Sequence, residues 1–177
     1  VLLLLTATLR QDPSIVEAGL SNLDRLAESC ADHSRGGLVR HLFQDMGFVG
    51  DTDDYYDPDN SMLDVVLSCR RGMPITLAVV AIETGRRVGI VLDGIGMPGH
   101  FLLRDRDEPI CFLDPFDGGV TMDRTACVAR FHSIHGSRAA FDDRFLDPVN
   151  PRSIVTRVLN NLTASLRSRD PRKLDRL

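Results

Sequence analysis

The fold of this chain is set by the segment Arg71-Gly72-Met73-Pro74-Ile75-Thr76-Leu77-Ala78. Gly72 frees the backbone, and Pro74 suits the first position of a helix, where its missing N–H is not needed. The helix that follows is apolar on nearly all sides at its start and is predicted to be the buried central helix, over 74–88. The amides of a first helical turn favour negative charge and lower the pKa of a thiol. A catalytic nucleophile would suit this position, and this chain has proline there.

Length and composition indicate one soluble domain with a real core. The chain has 177 residues, of which 43% are hydrophobic and 26% are charged. The net charge of −4 argues against nucleic acid as the main partner. The first five residues, Val1-Leu2-Leu3-Leu4-Leu5, are apolar but too few to span a bilayer, and no basic region precedes them. We therefore predict no membrane segment and no signal peptide.

The four cysteines are widely separated and form no CxxC pair: Cys30, Cys69, Cys111 and Cys127. A zinc site made of thiolates needs closely spaced pairs, so none is predicted. Reduced and mostly buried thiols are typical of a cytoplasmic protein. We therefore predict a cytoplasmic location, with no metal and no other cofactor.

Hydrophobic periodicity predicts an α+β chain. Apart from the central helix, apolar residues at steps of three and four predict helices over 13–31, 38–46, 61–71, 122–131 and 151–168, with a shorter one at 139–146. Strand-like runs occupy 90–97, 100–104 and 110–114. Because their connections are short, we expect the strands to form an antiparallel meander.

The segment 47–60 is predicted to be an irregular acidic loop that contains both tyrosines of the chain, Tyr55 and Tyr56. A calcium-binding loop would need a glycine after its third acidic ligand and a final glutamate, and neither is present. Two interpretations remain. The loop is either a solvated segment anchored by packed tyrosines or one wall of a cleft.

His100 and Asp114 are the residues most suited to chemistry. His100 lies near the start of one strand-like run and Asp114 at the end of the next, so antiparallel pairing across 105–108 brings them near each other. A carboxylate beside a histidine orients the ring and stabilises its charged form. The alternative is a buried pair that only ties two strands together. His132 and His135 lie in a segment predicted to begin a loop, and no metal site is predicted there.

Several motifs together resemble the SirB-type, transglutaminase-like family of bacterial proteins: Gly47-Phe48-Val49-Gly50, Tyr55-Tyr56-Asp57-Pro58, Asn60-Ser61, Arg71 to Leu77, Pro98-Gly99-His100-Phe101 and Asp114-Pro115-Phe116. The resemblance implies an α+β fold with a transglutaminase-like or papain-like core. In such a core, a helix bundle packs on a small antiparallel β-sheet and a cleft lies between them. It further implies a transglutaminase-like domain over 1–150. Residues 151–177 would then be a C-terminal helix leading into a truncated helical-repeat region of tetratricopeptide type.

The same resemblance assigns the catalytic positions. In active transglutaminase-like enzymes, the nucleophilic cysteine stands two residues after a glycine at the start of the central helix, which here is Pro74. The histidine and aspartate positions of the triad fall on His100 and Asp114. Proline has no thiol or hydroxyl with which to attack a carbonyl. Thr76 points about 200° away from position 74 on a helix, and Cys69 lies before the glycine on another helix.

Three functions are therefore expected as alternatives. The first is a pseudoenzyme that binds a peptide or protein in the remnant cleft, which would be lined by His100 with Tyr55, Tyr56, Asp57, Asn60 and Arg71. The second is an active acyl-transfer enzyme that uses another nucleophile, such as Cys69. The third is a purely structural cap for a helical-repeat array.

Overall fold

The computed structural model describes residues 1–169, which form seven α-helices and six strands. The helices are α1 (Leu2–Arg10), α2 (Ser14–Glu28), α3 (Arg35–Val39), α4 (Leu63–Cys69), α5 (Pro74–Arg87), α6 (Arg124–His135) and α7 (Pro151–Arg169). The strands are β1 (Val49–Gly50), β2 (Arg71–Gly72), β3 (Leu92–Ile95), β4 (Leu102–Asp105), β5 (Phe112–Asp114) and β6 (Val120–Met122). A π-helical turn over Arg40–Asp45 extends α3, and 3₁₀ turns occupy Pro58–Ser61 and Asp143–Leu146.

Strands β3 to β6 form one antiparallel sheet in the order β3-β4-β5-β6. This arrangement confirms the predicted meander. The predicted start of a helix at residue 122 is corrected, because Met122 ends strand β6 and α6 begins at Arg124. Asp123 caps this helix by accepting a hydrogen bond from the amide of Ala126 at 2.7 Å. The predicted loop after 131 is also corrected, because α6 continues to His135.

Helix α5 is the centre of the fold. It contacts α2, α4 and α7 on the helical side and strands β3 and β4 on the sheet side. Five of its apolar side chains are at most 1% exposed: Ile75, Leu77, Ala78, Val80 and Ala81. The prediction of a buried central helix that starts at Pro74 is confirmed, and with it the α+β class.

The apolar N-terminal segment forms helix α1, which the sequence pattern did not predict. Leu2 and Leu3 join the main core together with residues of α2 and α4, including Leu23 and Leu63. The segment is therefore apolar because it packs against the helix bundle. Within residues 1–169, no helix is both long enough and apolar enough to cross a membrane.

Helix α7 packs on the same core as the rest of the domain. Val158 is fully buried in the main cluster, and Leu162 and Leu166 are buried with Leu9 and Met62. The helix that the sequence predicts after residue 150 therefore packs on the core of the residues that precede it. The rest of the predicted repeat region, from residue 170 onward, lies outside the described residues.

Candidate functional site

The start of α5 is held in place by the 3₁₀ turn that precedes α4. The hydroxyl of Thr76 donates to the backbone oxygens of Asn60 at 2.7 Å and of Met73 at 3.1 Å. The amide of Met73 also donates to Asn60 O at 3.3 Å. The Met73 amide precedes the first turn and has no intrahelical acceptor, so Asn60 O supplies one. These bonds fix the position of Pro74, which is the first residue of the helix.

His100 and Asp114 form a buried pair. The Nε2–H of His100 donates to Oδ2 of Asp114 at 2.7 Å. The pairing of β4 with β5 sets Leu103 opposite Leu113 and therefore Leu102 opposite Asp114. His100 lies two residues before the start of β4, within reach of the Asp114 carboxylate. The structure therefore brings together the two residues that the strand order predicts to be neighbours.

The Asp114 carboxylate has three further partners, and it is completely buried. Oδ1 accepts the amides of Phe116 at 3.0 Å and Asp117 at 3.3 Å, and Nη2 of Arg130 lies 3.3 Å from Oδ2. A carboxylate with this many donors is held in one orientation. It can therefore fix the His100 ring in turn. Arg130 was not identified from the sequence.

A cleft of about 310 Å³ opens beside this pair. Its walls come from the acidic loop, the start of α5, the segment before β4 and helix α7: Tyr55, Tyr56, Met73, Pro74, Ile75, Gly99, His100, Phe101, Arg157, Asn161 and Ala164. Pro74 and His100 therefore face one space, as expected for the positions of a nucleophile and its histidine. Tyr55 and Tyr56 line the same cleft.

Asp57, Asn60 and Arg71 are not among the residues that line this cleft. The Asp57 carboxylate caps the 3₁₀ turn by accepting the amide of Asp59 at 2.9 Å. The Asn60 amide group is buried and donates to Asp51 Oδ2 at 3.1 Å and to a loop carbonyl. Arg71 is exposed and forms an ion pair with the loop carboxylate of Asp53 at 2.8 Å. These three side chains organise the acidic loop.

The two tyrosines have different roles in the cleft wall. The Tyr55 ring packs edge-on against Phe116, which in turn packs against the His100 ring, with centroid separations of 5.7 and 6.2 Å. Burial raises the pKa of the Tyr55 hydroxyl. Tyr56 is 63% exposed and contacts Tyr55 edge-on. Tyr55 is thus an anchor of the wall, and Tyr56 leaves an aromatic surface free.

Gly50 is the point where the chain passes closest to this aromatic cluster. Its amide donates to Phe116 O at 3.0 Å, and a Cβ at position 50 would lie only 2.4 Å from the Phe116 ring. We expect Gly50→Ala to lower the free energy of unfolding by about 1–3 kcal/mol, because overpacking displaces that ring. Gly36→Ala is the matched control, since the space around it is open and alanine favours a helix. If urea unfolding gives both variants the same free energy of unfolding as the wild type, this packing is contradicted.

Arg157 is the most informative site residue that sequence reasoning missed. Its Nη2 donates to the backbone oxygens of Met97 at 3.0 Å and His100 at 2.8 Å, and its guanidinium lies 5.5 Å from the Phe101 ring centre. Burial lowers the pKa of Arg157. Arg157, Asn161 and Ala164 are spaced by four and three residues, so they share one face of α7. That spacing was visible, but only the packing of α7 shows which face meets the cleft.

No cysteine is among the residues that line the cleft. Cys69 is exposed at the C-terminal end of α4, and Cys30 is buried. Burial raises the pKa of the Cys127 thiol to about 11. The Cys111 sulfur accepts a hydrogen bond from Arg35 Nη1 at 3.1 Å. The Thr76 hydroxyl is buried and already bound to two carbonyl oxygens. The candidate replacements for the missing thiol thus lie outside the cleft or are engaged elsewhere.

The remaining histidines near the site contact backbone oxygens. His132 Nε2 lies 3.2 Å from Ala139 O, and His135 Nε2 lies 3.0 Å from Pro98 O. Within residues 1–169, no group of three or more histidine, cysteine or acidic side chains is arranged to hold a metal ion.

Comparison with known proteins identifies the family of this chain. A family model described as the transglutaminase-like superfamily matches residues 16–160. The chain belongs to the transglutaminase-like superfamily. A transglutaminase-like domain is thus established for the part of the chain that contains the His100–Asp114 pair, the start of α7 and the cleft lining from Tyr55 to Arg157.

Curated relatives of this transglutaminase-like chain include UPF0162 proteins of bacteria. One from Xylella fastidiosa is 46% identical over 128 residues, which cover 70% of this chain and 45% of the relative. One from Vibrio cholerae is 31% identical over 156 residues, covering 83% of this chain and 57% of the relative. The chain therefore spans about half the length of these relatives. F-box only protein 21 of Homo sapiens is 35% identical over 63 residues, or 36% of this chain and 10% of that protein. No solved structure matches the chain.

Proposed function

We propose that this transglutaminase-like domain binds a peptide, or an extended segment of a protein, in the cleft and performs no acyl transfer there. The observation that carries the proposal is the position of Pro74. It lies at the start of α5, in the same cleft as His100, where the superfamily resemblance puts the nucleophile. Proline offers neither a thiol nor a hydroxyl for attack on a carbonyl.

The walls of the cleft support a peptide as the ligand. The exposed ring of Tyr56 offers a flat apolar surface, and Arg157 and Asn161 offer polar groups on the part of the wall formed by α7. Binding sites for small ligands combine apolar walls with a few placed polar groups in volumes of about 300–1,000 Å³. A cleft of about 310 Å³ has room for a few side chains of a bound segment. A purely structural cap would need no such open space.

The acyl-transfer alternative has less support. It requires a nucleophile within hydrogen-bond reach of His100. Cys69, the candidate named from the sequence, is exposed at the C-terminal end of α4, whereas the turn that anchors α5 precedes the N-terminal end of α4.

We further propose that this superfamily member is a SirB-type protein of the cytoplasm and that tetratricopeptide repeats follow the domain. The motifs quoted above support these proposals.

Loss of the Tyr56 ring is expected to weaken peptide binding about tenfold, since a buried aromatic contact contributes about 1–2 kcal/mol. Peptides would be selected from a randomised hexapeptide pool with free C-termini on the immobilised domain. The best binder would be labelled and titrated against wild type and Tyr56→Ala by fluorescence anisotropy.

Ile110→Ala is the matched control for that titration. Ile110 is 85% exposed, is also large and apolar, and lies between β4 and β5, outside the cleft lining. We expect this variant to bind like the wild type. Equal affinities for wild type and Tyr56→Ala, or a pool from which the domain retains no peptide, would contradict the proposed function.

A further inference from the structure

Arg157 carries a positive charge into the cleft wall without a carboxylate partner among the described residues. Its contacts there are the two backbone oxygens of Met97 and His100 and the ring of Phe101. Both hydrogen bonds use Nη2. A guanidinium has five N–H donors, so three of them, on Nε and Nη1, have no acceptor in residues 1–169.

The acidic residues closest in sequence to the tyrosines do not supply the missing charge. Asp54 forms an ion pair with Arg169, and the Asp57 carboxylate accepts the amide of Asp59. Asp51 and Asp53 lie beside Arg71. None of these aspartates lines the cleft. The half-buried charge of Arg157 therefore faces a space that contains no anion from the described chain.

The part of the cleft wall formed by the start of α5 also favours negative charge. It is formed by Met73, Pro74 and Ile75 at the N-terminal end of α5, a helix of 14 residues. The partial positive charge of a helix N-terminus stabilises anions near the first turn. His100 is held by its own aspartate and adds no negative group to the cleft surface.

We infer that the cleft takes a carboxylate group of its bound peptide and that Arg157 holds it. A carboxylate matches the planar donor geometry of a guanidinium and accepts two parallel N–H bonds from it. Burial strengthens such a pair relative to one in water. The inference rests on the proposed function, and it names the ligand chemistry: a peptide C-terminus or an aspartate or glutamate side chain.

Three pools of N-acetylated hexapeptides, randomised over uncharged residues, test this inference. One pool has a free C-terminal carboxylate, one has a C-terminal amide, and one has an amide end with a single internal glutamate. Binding would be followed by NMR through the Arg157 Nε–Hε signal and the backbone amides of Gly99 and His100. We expect at least one carboxylate pool to bind ten times more tightly than the neutral pool. Which one does so identifies the source of the carboxylate.

Arg157→Gln is expected to reduce that tenfold preference to less than about twofold, and Arg157→Lys to retain part of it. Arg157 also ties α7 to the segment before β4, so the amide spectrum of each variant is recorded to show whether the fold is intact. If the glutamine variant unfolds, the lysine variant, which keeps the positive charge, still tests the inference. Arg152→Gln is the matched control, since Arg152 is an exposed arginine on the same helix. It should leave the preference unchanged.

Two results would overturn the inference, and they differ in what else they affect. If the three pools bind equally, or if folded Arg157→Gln keeps the tenfold preference, the carboxylate inference fails while peptide binding stands. If no pool binds, the proposed function fails with it.

Discussion

Asp114→Ala is expected to lower the free energy of unfolding by about 3–5 kcal/mol, because breaking a buried charged pair leaves its partners uncompensated. The carboxylate is fully buried and serves His100, Arg130 and two backbone amides. For a domain of this size, that loss corresponds to a melting temperature lower by roughly 6–20 °C. Urea unfolding followed by circular dichroism measures it.

Two variants act as controls for this prediction. Asp114→Asn keeps an acceptor oxygen and should cost less than alanine. Asp117→Ala removes the exposed neighbour that also pairs with Arg130, and an exposed ion pair contributes about 1 kcal/mol or less. If Asp114→Ala unfolds within about 1 kcal/mol of wild type, Asp114 is not the residue that fixes His100.

Pro74→Cys is expected to produce a thiol that reacts with iodoacetamide at pH 6 at least ten times faster than Cys69. A helix N-terminus and a histidine partner lower the pKa of a thiol from about 8.5 to as little as about 3.5–7.5, which raises the thiolate fraction at this pH. Cys69 is exposed at a helix C-terminus, where neither effect applies. Mass spectrometry of alkylated peptides gives both rates in one protein.

The His100→Ala change, made in the Pro74→Cys background, shows whether the histidine contributes. We expect the alkylation rate at position 74 to fall and the rate at Cys69 to stay the same. A Pro74→Cys thiol that reacts no faster than Cys69, or whose rate is unaffected by His100→Ala, would contradict the assignment of Pro74 to the nucleophile position.

The parts of the fold that local chemistry dictates were predictable from the sequence. Gly72 followed by Pro74 and an apolar run specifies a buried helix with a defined start. Short strands with short connections specify a meander, and counting along them brings His100 near Asp114. Each of these predictions depends on neighbours in the chain, which is why a single sequence was sufficient for them.

The features that were missed depend on tertiary packing or lack the usual boundary signals. Helix α1 has Val1 at its N-cap, without a side-chain cap, and ends at Gln11 in the left-handed conformation instead of at a glycine. The carbonyl of Asn60 anchors the start of α5 and its side-chain amide anchors the loop, through partners 16 and 9 residues away in the chain. Arg157 reaches the cleft only because α7 packs on α5.

A crystal structure of the domain bound to the tightest peptide from the pool tests the central claim most directly. Our account predicts an unbroken peptide in the cleft, with Tyr56 on one wall and Arg157 on the other, and no covalent bond to the protein. A peptide bound at another surface would contradict the account, and so would an acyl group attached to a cysteine of the domain.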